Sequence, residues 1–251
     1  MTINIIPIKG MPLIQPGDDL AKLIVEAVKN MDQSIEKKDI IVITHKIVSK
    51  AENRLIDLTV ITPSQPANNF AEYTGKDPRV VEEVLRESRA IRRMAPGVLI
   101  TETKHGFICA NAGVDKSNVE GQDKIALLPM DPDASAKRIR RRIEELTGNS
   151  VSVIISDTHG RAHRDGEVNV AIGASGLPVI FDRRGEKDLF GYELKVKRIA
   201  IADELAGAAE LVIGQVAEGT PLAIIRGYSV NADETSKATD LIWPRDKDLF
   251  I

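Results

Sequence analysis

The stretch ISDTHGRAHRDGEVN, residues 155–169, follows the run Val151, Val153, Ile154 and Ile155. That run is β-branched and apolar, and a short run of this kind reads as a buried strand. It breaks at Ile155 into Asp157, Thr158, His159, Gly160, Arg161, His163, Arg164, Asp165 and Gly166. A strand that ends in an acid, a hydroxyl and two arginines sets hard oxygen ligands beside phosphate-binding cations. Metal-assisted phosphate chemistry uses that pairing. A second acid, Asp115 in ICANAGVDKSNVEG, also follows a short apolar run. Two carboxylates at strand ends can share one divalent cation.

Outward from this strand, strand and helix signals mix without a βαβ rhythm, which predicts an α+β fold of mixed sheets and packed helices. Residues 3–8 read as a strand and KGMPLIQPGDD as an ordered loop. Asp18 reads as the N-cap of a helix to about Met31, with Leu20, Leu23, Ile24, Ala27 and Val28 as its apolar stripe. Residues 40–48 read as one strand, 62–69 as loop and 78–93 as one helix. Residues 98–103 and 107–110 read as a hairpin turned at Lys104, His105 and Gly106. Asp131 and Pro132 open a helix that stops at Gly148, an acid at the N-cap and proline at N1. Ile139, Ile143 and Leu146 are its stripe, and Lys137, Arg138, Arg140, Arg141 and Arg142 read as its solvated face. A helix over 199–213 and a strand over 221–226 precede a polar tail beyond Asn231.

Composition narrows the function classes. A chain of 251 residues with 43% hydrophobic content can bury a proper core. Net charge is −3 with no basic tail, and aromatic residues are 4%, so neither an electrostatic footprint for nucleic acid nor a base-stacking platform is expected. Cys109 is the only cysteine and cannot form an internal disulfide, which predicts a reducing, cytoplasmic setting. MTINIIPIKG lacks the basic and long apolar regions of a signal peptide, and apolar runs such as Ile40–Ile43 are too short to span a bilayer, so no membrane partner is expected. Neither a dinucleotide-binding glycine fingerprint nor a P-loop occurs.

Each candidate has a plainer reading. Asp115 sits among turn formers and, taken alone, reads as an Asx-turn acid. Asp157 can cap a strand, yet the density of Arg161, His163, Arg164 and Asp165 behind it favours function. Arg161 and Arg164 can grip phosphate, or pair with Asp165 or Glu167. His159 and His163 are spaced i, i+4 as in zinc motifs, but Gly160 and Gly166 oppose the helix such a motif needs. Asp-Thr-His-Gly matches the opening of calcineurin-like metallophosphoesterases, whose later histidine segments are missing here. In THKIVSKAENR, Lys46, Lys50 and Arg54 recur every fourth residue; they read as solvated cations or as a grip on a triphosphate. The glycine-bounded GQVAEGTP, residues 214–221, is a plain connection or a set of backbone N–H groups around a nucleotide.

In order along the chain, GMPLI with GDDL, THKIVSKAENR, ANAGVDKSNV, LPMDPDASA, ISDTHGR, DLFGYEL, ADELA and IIRG resemble the coenzyme F-420-0 gamma-glutamyl ligase family over nearly the whole length. The resemblance implies one ligase unit over residues 1–251, as two interlocking parts of an α+β homodimer. A nitroreductase-like domain, fused to some members, would not fit this length. It implies GTP-dependent addition of L-glutamate to coenzyme F-420-0 through an acyl phosphate, releasing GDP and phosphate. Two divalent ions, manganese or magnesium, are implied, with potassium as an optional further ion. By motif position, Asp115 and Asp157 would bind the first metal, and Thr158 and Gln215 the second. Met11, Pro12, Leu13, Ile14, His45, Lys46, Lys50 and Asn118 would line the nucleotide site with Gly214, Gln215, Val216, Ala217, Glu218, Gly219, Thr220 and Pro221. Lys50 and Arg161 would stabilise charge in transfer. Four positions depart from the family pattern: His45 and Lys46 replace small hydroxyl residues, Gln215 replaces an acid seen in some members, and Asn53 stands where glycine is common. The alternatives are a deazaflavin- or nucleotide-binding protein without activity, and a metal-dependent phosphohydrolase.

Overall fold

Ile40–Thr44 (β2) is five residues, four of them β-branched isoleucine or valine, and its first four side chains are buried. A strand apolar on both faces needs cover on both, and the rest of the fold supplies it. The computed structural model describes residues 2–248. In chain order the elements are β1 (Asn4–Ile8), α1 (Leu20–Asn30), β2, α2 (His45–Ala51), β3 (Leu55–Asp57), α3 (Gln65–Thr74) and α4 (Pro78–Arg86). There follow β4 (Ser88–Ala95), β5 (Val98–Thr103), β6 (Ile108–Ala110), β7 (Lys124–Ala126), α5 (Pro132–Thr147), β8 (Ser152–Arg161) and β9 (Arg164–Ser175). The chain closes with β10 (Phe181–Asp182), β11 (Arg198–Ile199), α6 (Ile201–Ile213) and β12 (Leu222–Arg226).

The central sheet runs β1-β12-β2-β8-β9, and only β2 and β8 are parallel. Its alternating side chains divide between two cores. Ile41, Ile43, Val153 and Ile155 pack with α1 and α5, whereas Ile40, Val42, Ile154 and Ile225 pack with α6. Gly173 on β9 is required by this layering, because a Cβ there would lie 2.4 Å from the Pro132 carbonyl oxygen at the start of α5. A third core, with Leu58, Val81, Val84, Leu99, Ile125 and Leu127, belongs to α3, α4 and the smaller sheets β4-β5-β6 and β3-β7. The architecture is the mixed α+β arrangement that the strand and helix signals predict. Among the described residues no helix is long and apolar enough to cross a membrane.

Several local readings need correction. The strand over 40–48 stops at Thr44. Its β12 neighbour there is Pro221, which accepts a hydrogen bond from Thr44 N through its carbonyl (2.9 Å) but has no N–H to extend the ladder. His45 to Ala51 then turn into helix, with Ile47 and Val48 buried. The N-cap of α1 is Asp19, not Asp18, which instead accepts from Gln15 N. Residues 65–74 are helical and not loop: Ser64 caps the N-terminus, Pro66 falls in the first turn where its missing N–H costs nothing, and Gly75 closes the helix in the left-handed region. The helix from Pro78 ends at Arg86, and residues 88–95 pair with β5 as a strand. Arg140 is not part of a solvated face; it is buried and paired with Glu234. Most consequentially, β8 does not end at Ile155 but runs on to Arg161, paired with β9.

Candidate active site

Parallel pairing sets Thr44 beside Ser156, so His45, the first residue after β2, and Asp157, within β8, meet where β2 ends beside the continuing β8. Ligand crevices in open sheets form outside the carboxyl ends of strands. A register shift between Ile155 and Ser156 re-aims β8 at this point. A cavity of about 410 Å³ opens here.

Asp157 is its centre. Thr158 N–H donates to Oδ1 at 2.8 Å and His159 Nε2 lies 3.1 Å from Oδ2. His45 Nε2 approaches Oδ1 to 3.2 Å off the hydrogen-bonding line, so this buried nitrogen has no hydrogen-bond partner among the described residues. Burial alone would push the Asp157 carboxyl up, but the imidazoles of His45 and His159 hold it well below the usual carboxylate range. The same contact, working against burial, holds the His159 imidazole above its ordinary value.

Beside Asp157 is an oxygen-rich cluster. Thr158 Oγ1 faces Asn169 Oδ1 (2.8 Å) and Gln215 Oε1 (3.1 Å), and one hydroxyl proton can serve only one of them at a time. Gln215 Nε2 donates to Asn169 Oδ1 (3.3 Å) and to Glu210, and Glu210 also accepts from Asn169 N at 2.7 Å. Buried Ser156 Oγ has no hydrogen-bond partner.

The same cavity also has a cationic lining. α2 puts Lys46 and Lys50 on one face, four residues apart. Lys46 Nζ pairs with Asp115 Oδ2 at 2.8 Å and donates to Ser117 Oγ. Lys50 Nζ donates to Asn118 O (2.7 Å), and Asn118 Nδ2 donates to Val216 O (3.1 Å), closing a rim from α2 to the loop 214–221. Burial, then the Lys46 charge, lower the Lys50 ammonium pKa. Asp115 is also an Asx turn, accepting from Ser117 N at 2.7 Å. Burial raises its carboxyl, but Lys46 and Ser117 more than offset that. The loop leaves α6 at Gly214, where φ is +77° and a Cβ would fall 2.3 Å from Glu218. Glu218 accepts from Val216 N at 2.8 Å and holds the loop's shape.

The structure brings most of the expected site together. Met11, Pro12, Leu13, Ile14, His45, Lys46, Lys50, Asn118, Asp157, Thr158 and every residue from Gly214 to Pro221 line the one cavity. Asp115 stands behind it, joined through Lys46. Arg161 lies at the exposed end of the β8–β9 hairpin, within 3.5 Å of the Asp165 carbonyl and away from the cavity lining of this chain. Thr44, Ser156 and Asn169 line the cavity without having been expected there, and Glu210 supports it. The polar residue within the apolar part of β9, Asn169, was a usable signal; Glu210 carried none.

Among the described residues no three His, Cys, Asp or Glu side chains gather closely enough to hold a metal by themselves. The donors present are one fixed carboxylate, two hydroxyls and two side-chain amides, with Ser156 Oγ unpaired. Magnesium-like cations bind through one or two carboxylates completed by substrate phosphates and water, and this donor set fits that pattern.

A cleft that sets oxygen donors against two lysines is that of an enzyme handling anionic small molecules. Residues 9–227 match the family model described as F420-0:Gamma-glutamyl ligase. A Coenzyme F420:L-glutamate ligase of Methanothermobacter thermautotrophicus is 50% identical, covering 100% of this chain and 99% of the relative. Enzymes of the same name from Methanopyrus kandleri and Methanocaldococcus jannaschii are 49% and 48% identical, over 99% and 96% of this chain and 98% and 94% of their own lengths. The chain belongs to the F420-0:gamma-glutamyl ligase family.

Proposed function

We propose that this protein ligates L-glutamate to coenzyme F-420-0, consuming GTP and releasing GDP and phosphate. The observation that carries the reading is that the Asp157, Thr158 and Gln215 oxygens line a single cavity together with Lys46 and Lys50. The family description supplies the acceptor and the names of the relatives the amino acid. GTP, the metals and the homodimer are part of the proposal.

A carboxylate is a poor electrophile. In the proposed reaction an acceptor carboxylate oxygen attacks the γ-phosphorus, the bond to the β-phosphate oxygen breaks, and GDP leaves. The glutamate nitrogen then attacks the acyl carbon, the carbon–oxygen bond breaks, phosphate departs, and the amine loses a proton. Lys50 and Lys46 offset phosphate charge, and Lys50 is half sequestered by its bond to Asn118 O, which fixes its reach. The rim of Asn118 and Val216 orients the nucleotide against Met11–Ile14 and excludes water from the transfer. Asp157, with Asp115 behind Lys46, would hold the first divalent ion; Thr158 and Gln215 would hold the second. When bound, such ions neutralise the phosphates and let two anions approach. Arg161 would reach a site only where the hairpin meets another body, which fits its place in a homodimer. The β10–β11 segment presents Leu189, Phe190 and Val196 at 98%, 95% and 88% exposure, an apolar surface suited to a second copy of the chain.

The mechanism is tested with acceptor labelled by ¹⁸O in its carboxylate. One ¹⁸O in the released phosphate is expected; unlabelled phosphate alongside the ligated product would exclude an acyl phosphate.

A further inference from the structure

The element that holds Asp157 is as particular as Asp157 itself. Because β8 continues through the site, Asp157 and His159 stand two residues apart on one face of a strand. His159 Nε2 meets Oδ2 at 3.1 Å, and the rest of the ring lies among β6 and β8, where Cys109 interacts with it. Both partners are sequestered, at 11% and 12% side-chain exposure. An ionised carboxylate has about four acceptor positions. Thr158 N–H takes one on Oδ1 and His159 takes one on Oδ2, which stops rotation of the group and leaves a further Oδ2 position open.

We infer that His159 is a positioning residue, one that orients the Asp157 carboxylate toward a divalent cation in the cleft. The inference rests on the metal-dependent reading above and goes beyond it, since none of the motif correspondences assigns His159 a role. Outer partners of this kind change metal affinity by about 10–100-fold when removed. His159→Phe keeps a ring in the space and removes the donor. His159→Gln keeps an N–H within similar reach.

The test is Mn²⁺ binding to the full chain, followed by electron paramagnetic resonance of free Mn²⁺, with circular dichroism confirming the fold of each variant. His159→Phe is expected to weaken binding by about 10–100-fold, and His159→Gln to recover most of it. In turnover the loss should fall on the KM for Mn²⁺ more than on kcat. A folded His159→Phe with wild-type Mn²⁺ affinity would overturn the inference, as would a Gln variant as weak as the Phe variant. Asp157→Asn separates this from failure of the parent reading. If it binds Mn²⁺ like wild type, the metal assignment itself is wrong. If it alone loses binding, Asp157 is a ligand that His159 does not position.

Discussion

Asp157 bears on both activity and stability. As a metal ligand its loss should remove turnover, and Asp157→Asn is expected to lower kcat/KM by at least about 100-fold at saturating Mn²⁺. Lys50→Ala should cost about 100-fold through weaker charge stabilisation, with Lys50→Arg recovering part of it. In metal-free protein the Asp157–His159 pair sets a pH window. The Asp157 carboxyl is depressed, so its contribution is present above about 3.9 and fades as pH falls below that. His159 is raised to about 10, so its contribution is full below about 6.5 and is lost as pH rises toward 10. Thermal melts in chelator should therefore show wild-type Tm falling between pH 7 and 10, and His159→Phe should flatten that fall. An unchanged slope would show that the pair does not contribute. Asp157 and Thr158 were legible as oxygen donors from residue type alone. The part played by His159 was not: it follows from a strand that continues, where glycines and charges suggested a strand that stops.

Local sequence misled most where tertiary partners decide. The run from Ile40 to Val48 is broken only by Thr44, His45 and Lys46, and Pro221, which precedes β12 and has no N–H to donate, stands opposite Thr44 where the ladder ends. With the strand ended there, residues 45–51 turn into α2, whose Lys46 and Lys50 share one face and reach Asp115, Ser117 and Asn118. Residues up to 93 read as a continuation of the helix from Pro78, yet residues 88–95 pair with β5 as a strand. Caps read better: Asp131 and Gly148 bound α5 as their chemistry requires. Just past α2, Asn53 has φ of +56°, which explains why glycine suits this position and why asparagine is tolerated. Asn53→Ala should cost about 1 kcal/mol, lowering Tm by about 2–4 °C, while Asn53→Gly should stay within about 0.5 kcal/mol. Equal melting of the Ala variant and wild type would remove the strain argument.

The whole molecule joins a layered sheet, which builds the cleft, to the third core, whose segments carry Asp115 and Asn118 up to it. The mixed fold class was visible from interleaved strand and helix signals. The layering was not, because α1, α5 and α6 reach the sheet from distant parts of the chain. For the proposed homodimer, sedimentation should show wild type as a dimer and Leu189→Ser with Phe190→Ser as a monomer; a monomeric wild type would remove the dimer, and an unaffected dimer would place its interface elsewhere. The central claim is glutamyl ligation in the cleft. Its most direct test is mass spectrometry of the purified chain with F-420-0, L-glutamate, GTP and Mn²⁺, each omitted in turn. The account predicts a product heavier by glutamyl units only in the complete mixture, with matching GDP. GDP released without glutamylated product, or retained coenzyme with no turnover, would contradict it.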